Sequence, residues 1–215
     1  MKFKSPRRQG FSLIELLIVI AILATFAGVL APAGRAMMSR SRAVHCSHNL
    51  RQIGMATLMY AGDHHMTLPA TSHQRGGKSW TLTLQPYASG NITFKCADDP
   101  NTRRSFTYVI NDFLTPNPSG ADHLNFSILT RIERPEATFL FAEAAGSHSS
   151  DHFHFAPYHG GVIPPAVFDY QVAAGSHDGK ANYLFADGHV ETLSRKETHA
   201  RLRVAGGRFA DPSGP

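Results

Sequence analysis

The chain has 215 residues, a hydrophobic fraction of 42% and a formal net charge of +5, room for one ordinary domain plus an appendage. Its basic balance does not point to nucleic acid: Lys2, Lys4, Arg7 and Arg8 precede the first apolar run, and without them 17 basic residues face 16 acidic ones. No basic stripe interleaved with aromatics follows, so nucleic acid is excluded as an expected partner.

The first element is RRQGFSLIELLIVIAILATFAGVL, residues 7–30. From Leu16 to Gly34 there are 19 consecutive uncharged residues, which as a helix span roughly 28 Å, close to the hydrocarbon thickness of a bilayer. A secretory signal would explain the basic start and the small residues Ala31-Pro32-Ala33, but it leaves Glu15 without a purpose. A plain anchor leaves it equally unexplained. A cut between Gly10 and Phe11 changes this, because it makes Phe11 the new amino terminus one helical turn from Glu15. When copies pack side by side out of water, the ammonium of one chain is then neutralised by Glu15 of another, and that pairing sets the axial register.

Gly10-Phe11-Ser12-Leu13-Ile14-Glu15 followed by LLIVIAILA resembles the type III (class A) prepilin signal shared by type IV pilins and the pseudopilins of type II secretion. The resemblance covers roughly residues 7–35. It implies cleavage by prepilin peptidase after Gly10, methylation of the Phe11 amine, and a helix bend at Pro32. The chain then reads as a leader at 1–10, a transmembrane and filament-core helix at 11–35, a globular domain at 36–205 and a flexible tail at 206–215.

Beyond Ala36 the helix turns amphipathic. Ala43, Cys46, Leu50, Ile53, Thr57 and Tyr60 recur at spacings of three and four, on one face. The pattern predicts a helix from about Ser12 to about Ala61, closed by Gly62-Asp63. His64 to Lys78 reads as a loop, and Ser79 to Tyr87 as a short helix or strand. Strands are predicted at Ile92 to Cys96, Ser105 to Ile110, Thr138 to Glu143, Ala181 to Ala186 and His189 to Leu193. The last two are joined by Asp187-Gly188, a two-residue hairpin turn. The predicted fold is α+β and pilin-like, a long N-terminal helix packed on an antiparallel sheet.

Cys46 and Cys96 are the two cysteines. They pair in an oxidising compartment, closing a loop of roughly 50 residues worth about 4 kcal/mol in the chain-entropy model, or else remain two buried thiols. Near the C-terminus, SHDGKANYLFADGHVE places nine residues between His177 and Asp187-Gly188. With CSHNLRQIGMATLMY, FKCADDP, FTYVIN and RPEATFLFAE, it resembles the His-x9-Asp-Gly motif of a large pilin-like family. In the simplest reading Asp187 and Gly188 build the turn while His177 caps or packs on it. In a sharper one, Asp178 or Asp187 joins a loop carbonyl in a divalent-cation site. HSSDHFHFAPYH supplies a second candidate, since His152 and His154 on a strand would share a face and chelate a metal; on a loop they are polar surface residues. No cofactor other than such a cation is expected. HExxH, GxSxG and phosphate-cradling glycine loops do not occur, and the chain is not expected to be an enzyme.

These readings imply a pseudopilin of a type II secretion pseudopilus, with a type IV pilus subunit as alternative. From a different class, a membrane-anchored periplasmic ligand- or metal-binding domain is the second alternative. The implied partners are prepilin peptidase, other pilin or pseudopilin subunits and an inner-membrane assembly platform. The implied location is a single pass through the bacterial inner membrane, N-terminus cytoplasmic and globular domain periplasmic, followed by a filament.

Overall fold

The computed structural model describes residues 12–72, 78–88, 90, 92–116, 126–204 and 207–213. Helix α1 spans Leu13–Asp63, within two residues of its predicted end. The chain divides into two compact units, Met1–Arg40 and Ser41–Pro215, a few residues beyond the predicted boundary.

In the first unit, the described large apolar side chains from Leu13 to Leu30 are between 47% and 81% exposed. They lie on every side of the helix, so no single protein face covers them. Among the described residues no helix is long and apolar enough to cross a membrane. The side chains at 29, 31–33, 35 and 36 lie outside the described residues, and with them the bend expected at Pro32.

The second unit is built on a five-stranded sheet. Its strands are β1 (Tyr108–Asn111), β2 (Phe139–Glu143), β3 (His152–Phe153), β4 (Lys180–Phe185) and β5 (Val190–Ser194). Their order is β3-β1-β2-β4-β5. β1–β2, β2–β4 and β4–β5 are antiparallel, but β3 runs parallel to β1, which makes the sheet mixed where an antiparallel one was expected. Two residues suffice for β3, too few to show alternation, so the sequence carried no strand signal there.

Both faces of the sheet are covered, which is why its central strands read as nearly continuous apolar runs. On one face Cys46, Leu50, Ile53 and Ala56 of α1 pack with Tyr108, Ile110, Phe141 and Leu184. The predicted stripe is the buried one: Cys46, Leu50, Ile53 and Thr57 are fully enclosed. The approach is close at Gly54, where an added Cβ would lie 2.9 Å from Leu184 Cδ1. On the other face Val109, Phe139, Tyr183 and Phe185 pack with Phe153, Phe155, Phe168 and Phe209. A bulge between Phe139 and Phe141 breaks the strict alternation of β2.

Helices α2 (Trp80–Leu84), α3 (Pro165–Gln171) and α4 (Arg195–Leu202) complete the unit. Three expectations are corrected here. No strand forms over Ile92 to Cys96 among the described residues. Phe94 O accepts from Thr107 N at 2.7 Å, and the turn that follows Cys96 ends the pairing. Nor is the described part of 206–215 a loose tail. Phe209 and Ala210 are buried, Phe139 N donates to Phe209 O at 2.9 Å, and Asn111 Nδ2 donates to Ala210 O at 2.7 Å. Finally, α4 occupies residues for which no element was expected, and it opens with a capping box in which Ser194 and Glu197 satisfy each other's backbone N–H.

Candidate functional site

Gly10 and Phe11 lie outside the described residues. Glu15 sits in the first turn of α1, where its Oε2 accepts from Ser12 N at 2.8 Å. Within one chain this acid therefore offsets the partial positive charge of a helix N-terminus.

The His-x9-Asp-Gly segment does not form one site. Strand β4 separates its ends. Asp187 and Gly188 form the β4–β5 turn: Gly188 has φ +94°, and Asp187 Oδ1 accepts from His189 N at 3.0 Å. A second Asp-Gly pair stands at the other end. His177 and Lys180 exchange both backbone hydrogen bonds around Asp178-Gly179, whose φ values are +55° and +79°, as a type I′ turn requires. Asp178 and Asp187 are thus exposed turn residues on opposite ends of a strand.

His177 is oriented inward by that first turn. Its side chain is 1% exposed, with Nδ1 2.9 Å from Asp98 Oδ2 and Nε2 2.9 Å from Glu143 Oε1. Glu143 closes β2 and is itself buried; its other oxygen accepts from Ser176 Oγ at 2.7 Å. Asp98 extends the chain of charges outward to Arg42 on α1 at 3.1 Å. Burial alone would push the His177 pKa down, but the carboxylates of Glu143 and Asp98 outweigh it and hold the pKa above its ordinary value. Contrary to the expectation from sequence, His177 does not cap or pack on the Asp187 turn; its imidazole lies between two carboxylates. Glu143 and Asp98 lie 34 and 79 positions away in sequence, so spacing gave no hint of either.

Cys46 and Cys96 form a disulfide. It joins α1 to the segment carrying Asp98, and Cys96 Sγ lies 3.6 Å from His177 Nε2. Cys46, Cys96, Glu143 and His177 each bring one potential ligand atom within 4.8 Å of the others. A cleft of about 470 Å³ opens beside them, lined by Cys96, Asp98, Glu143 and, farther along, Arg104, Asp169 and Arg195.

The histidine-rich segment is only partly surface: His148 and His152 are buried, while His159 is exposed. His152 and Asp151 are buried, with His152 Nδ1 3.0 Å from Asp151 Oδ1. The His152 and His154 rings meet edge to face at 4.4 Å, and His148 Nε2 contacts His152 O at 2.9 Å. Of the residues considered for a cation, His152 and His154 lie side by side, whereas Asp178 and Asp187 stand at opposite ends of β4. His159 belongs elsewhere again, against Asp211 at 3.1 Å.

Asp151 organises its surroundings: it accepts from Ser72 N and Ser72 Oγ, and its backbone carbonyl accepts from Trp80 Nε1 at 2.8 Å. Burial would raise its pKa, yet hydrogen bonds from His152, Ser79 and Ser72 hold it at about 2. The folded value lies below the unfolded one, near ~3.9. Its stabilisation, on the order of 2 kcal/mol, is therefore present above about pH 4 and lost as pH falls through about 2. Acid unfolding followed by the fluorescence of Trp80 should show wild-type stability falling as pH drops from about 4 towards 2. Asp151→Asn should remove that acid-dependent component; an unchanged acid limb would contradict the assignment.

A family model described as the prokaryotic N-terminal methylation motif matches residues 5–31. No curated protein and no solved structure matches the chain. The motif supports a type IV pilin-like protein, in the class that contains both pilins and pseudopilins, and implies processing by prepilin peptidase and assembly with other pilin subunits. The α+β fold, an N-terminal helix with a five-stranded mixed sheet, is compatible with it. The match ends before the His-x9-Asp-Gly segment.

Proposed function

We propose that the chain is a pseudopilin, a structural subunit of a type II secretion pseudopilus, cut after Gly10, methylated on Phe11 and assembled through α1. The observation that carries this reading is the methylation motif over residues 5–31. The exposed apolar surface from Leu13 to Leu30 supports it, since such a helix needs lipid first and neighbouring copies afterwards. The subunit crosses the inner membrane once, its N-terminus cytoplasmic and its second unit periplasmic, where an oxidising milieu suits the Cys46–Cys96 bond. Its work is structural and not enzymatic. Its partners are prepilin peptidase, other subunits and the inner-membrane assembly platform.

The intact mass of protein extracted from membranes tests the processing. Loss of residues 1–10 with the gain of one methyl group is expected, and a cut after Ala33 or an uncut chain would overturn it. Deleting the gene then distinguishes the machines. Lost secretion with surface fibres intact fits a pseudopilus, whereas lost fibres assign the subunit to a type IV pilus.

A further inference from the structure

The four groups around the disulfide have a second use. We propose that Cys46, Cys96, His177 and Glu143 form a tetrahedral zinc site when the disulfide is reduced, so that metal and disulfide are alternative closures of one buried junction. This goes beyond the structural role of the subunit and does not depend on which filament it builds.

The donor set is chemically suited. Two thiolates, one imidazole and one carboxylate are all zinc ligands, and four of them close a structural site. Their ligand atoms already lie within 4.8 Å of one another. Separations of roughly 3.3–3.8 Å would follow from Zn–S and Zn–N distances of about 2.3 and 2.0 Å in a tetrahedron. Cys96 Sγ to His177 Nε2, at 3.6 Å, is in that range. His177 Nε2 and Glu143 Oε1 stand closer, at 2.9 Å, and need to part by less than an ångström to admit the ion.

The surrounding groups are also placed as a metal site needs them. His177 offers Nε2 to the centre while Nδ1 faces Asp98 Oδ2 at 2.9 Å, the carboxylate–histidine arrangement that fixes the tautomer of a ligating imidazole. Glu143 offers Oε1 while Oε2 is held by Ser176 Oγ at 2.7 Å. In the oxidised chain His177 Nε2 and Glu143 Oε1 contact each other directly at 2.9 Å, a contact that the ion would replace. Cys96, Asp98 and Glu143 line the cleft, which provides a route inward.

The conversion balances with a phosphine as reductant. The phosphine attacks one sulfur, the S–S bond breaks, and water hydrolyses the adduct to phosphine oxide. Both cysteines are left as thiols, and zinc binding then releases their protons to solvent.

The test uses the full chain in detergent micelles, oxidised or reduced with a water-soluble phosphine, and Co²⁺ as probe. The reduced chain should bind one Co²⁺ with tetrahedral visible bands and thiolate-to-cobalt charge transfer, and Zn²⁺ should bleach both. The oxidised chain should show neither. Asp98→Asn should weaken binding about 10–100-fold, as expected for loss of a group that orients a ligand, and His177→Ala should abolish the tetrahedral spectrum. If reduction unfolds the second unit, Zn²⁺ should restore its near-ultraviolet circular dichroism. Absence of the cobalt spectrum in the reduced chain, its presence in the oxidised chain, or its survival in reduced His177→Ala would each overturn the site.

Discussion

Replacing His177 with alanine should cost the oxidised protein about 3–5 kcal/mol of stability, the penalty for leaving a buried ion pair without one partner. The loss would be read from guanidinium unfolding of the full chain in detergent. His177 is enclosed, and Glu143 beside it is equally enclosed, with Ser176 as its remaining side-chain hydrogen-bond partner among the described residues. Without the imidazole, Glu143 loses its hydrogen-bond partner at Oε1 in an enclosed site, which is costly. Asp98 is less affected, because it keeps Arg42. His177→Gln should fall between wild type and alanine, since an amide can donate to one carboxylate but carries no charge. Asp178→Asn is the control. That side chain is exposed and its backbone is left-handed, a conformation asparagine accepts, so a change within about 0.5 kcal/mol is expected. A His177→Ala loss no larger than that of the control would refute the buried pairing.

The two ends of the chain differ in how much of them can be read from sequence, and the reason is physical. The methylation motif is local: Gly10, Phe11, Glu15 and the apolar run act through adjacency, so spacing alone reveals them. The buried face of α1 is legible for the same reason, because a helix repeats its environment every three to four residues. Strands β2, β4 and β5 were found from apolar runs ended by turn residues. The site around His177 is assembled by topology instead. Glu143 ends one strand, His177 begins another, and Asp98 and Cys96 come from a loop tied to α1. No periodicity links them. Other elements do carry local signals: Ser194-Arg195-Lys196-Glu197 is a capping-box sequence announcing α4. Asp178-Gly179 is as good a hairpin turn as Asp187-Gly188, and together they delimit β4 at both ends. Phe209 was a lone aromatic in a run of glycine, proline and polar residues. Its burial depends on the opposite sheet face having space for it, which composition does not report.

Glu15→Val should leave membrane insertion and the cut after Gly10 intact while abolishing incorporation into filaments. Valine makes the apolar run longer and leaves the residues flanking Gly10 unchanged, so neither earlier step loses an interaction. Among the described residues the substitution removes the hydrogen bond from Ser12 N, worth roughly 0.3–1 kcal/mol at a helix N-terminus. That is too little to unfold a 51-residue helix. In an assembly the balance is different. In the proposed assembly the ammonium created at Phe11 would enter a packed, water-poor bundle, where an unpaired charge costs several kcal/mol. That cost recurs at every subunit added, so a filament of the variant fails to grow instead of growing slightly less well. Immunoblots of membrane and sheared-filament fractions would check this, with processed Glu15→Val expected in the first and absent from the second. Glu15→Gln separates charge from hydrogen bonding: an amide accepts from Ser12 N as the carboxylate does, but it cannot neutralise an ammonium. It should therefore keep the helix start and still fail to assemble. Wild-type incorporation of the glutamine variant would mean that Glu15 serves only as a cap within its own chain, and the register would have to come from elsewhere in α1.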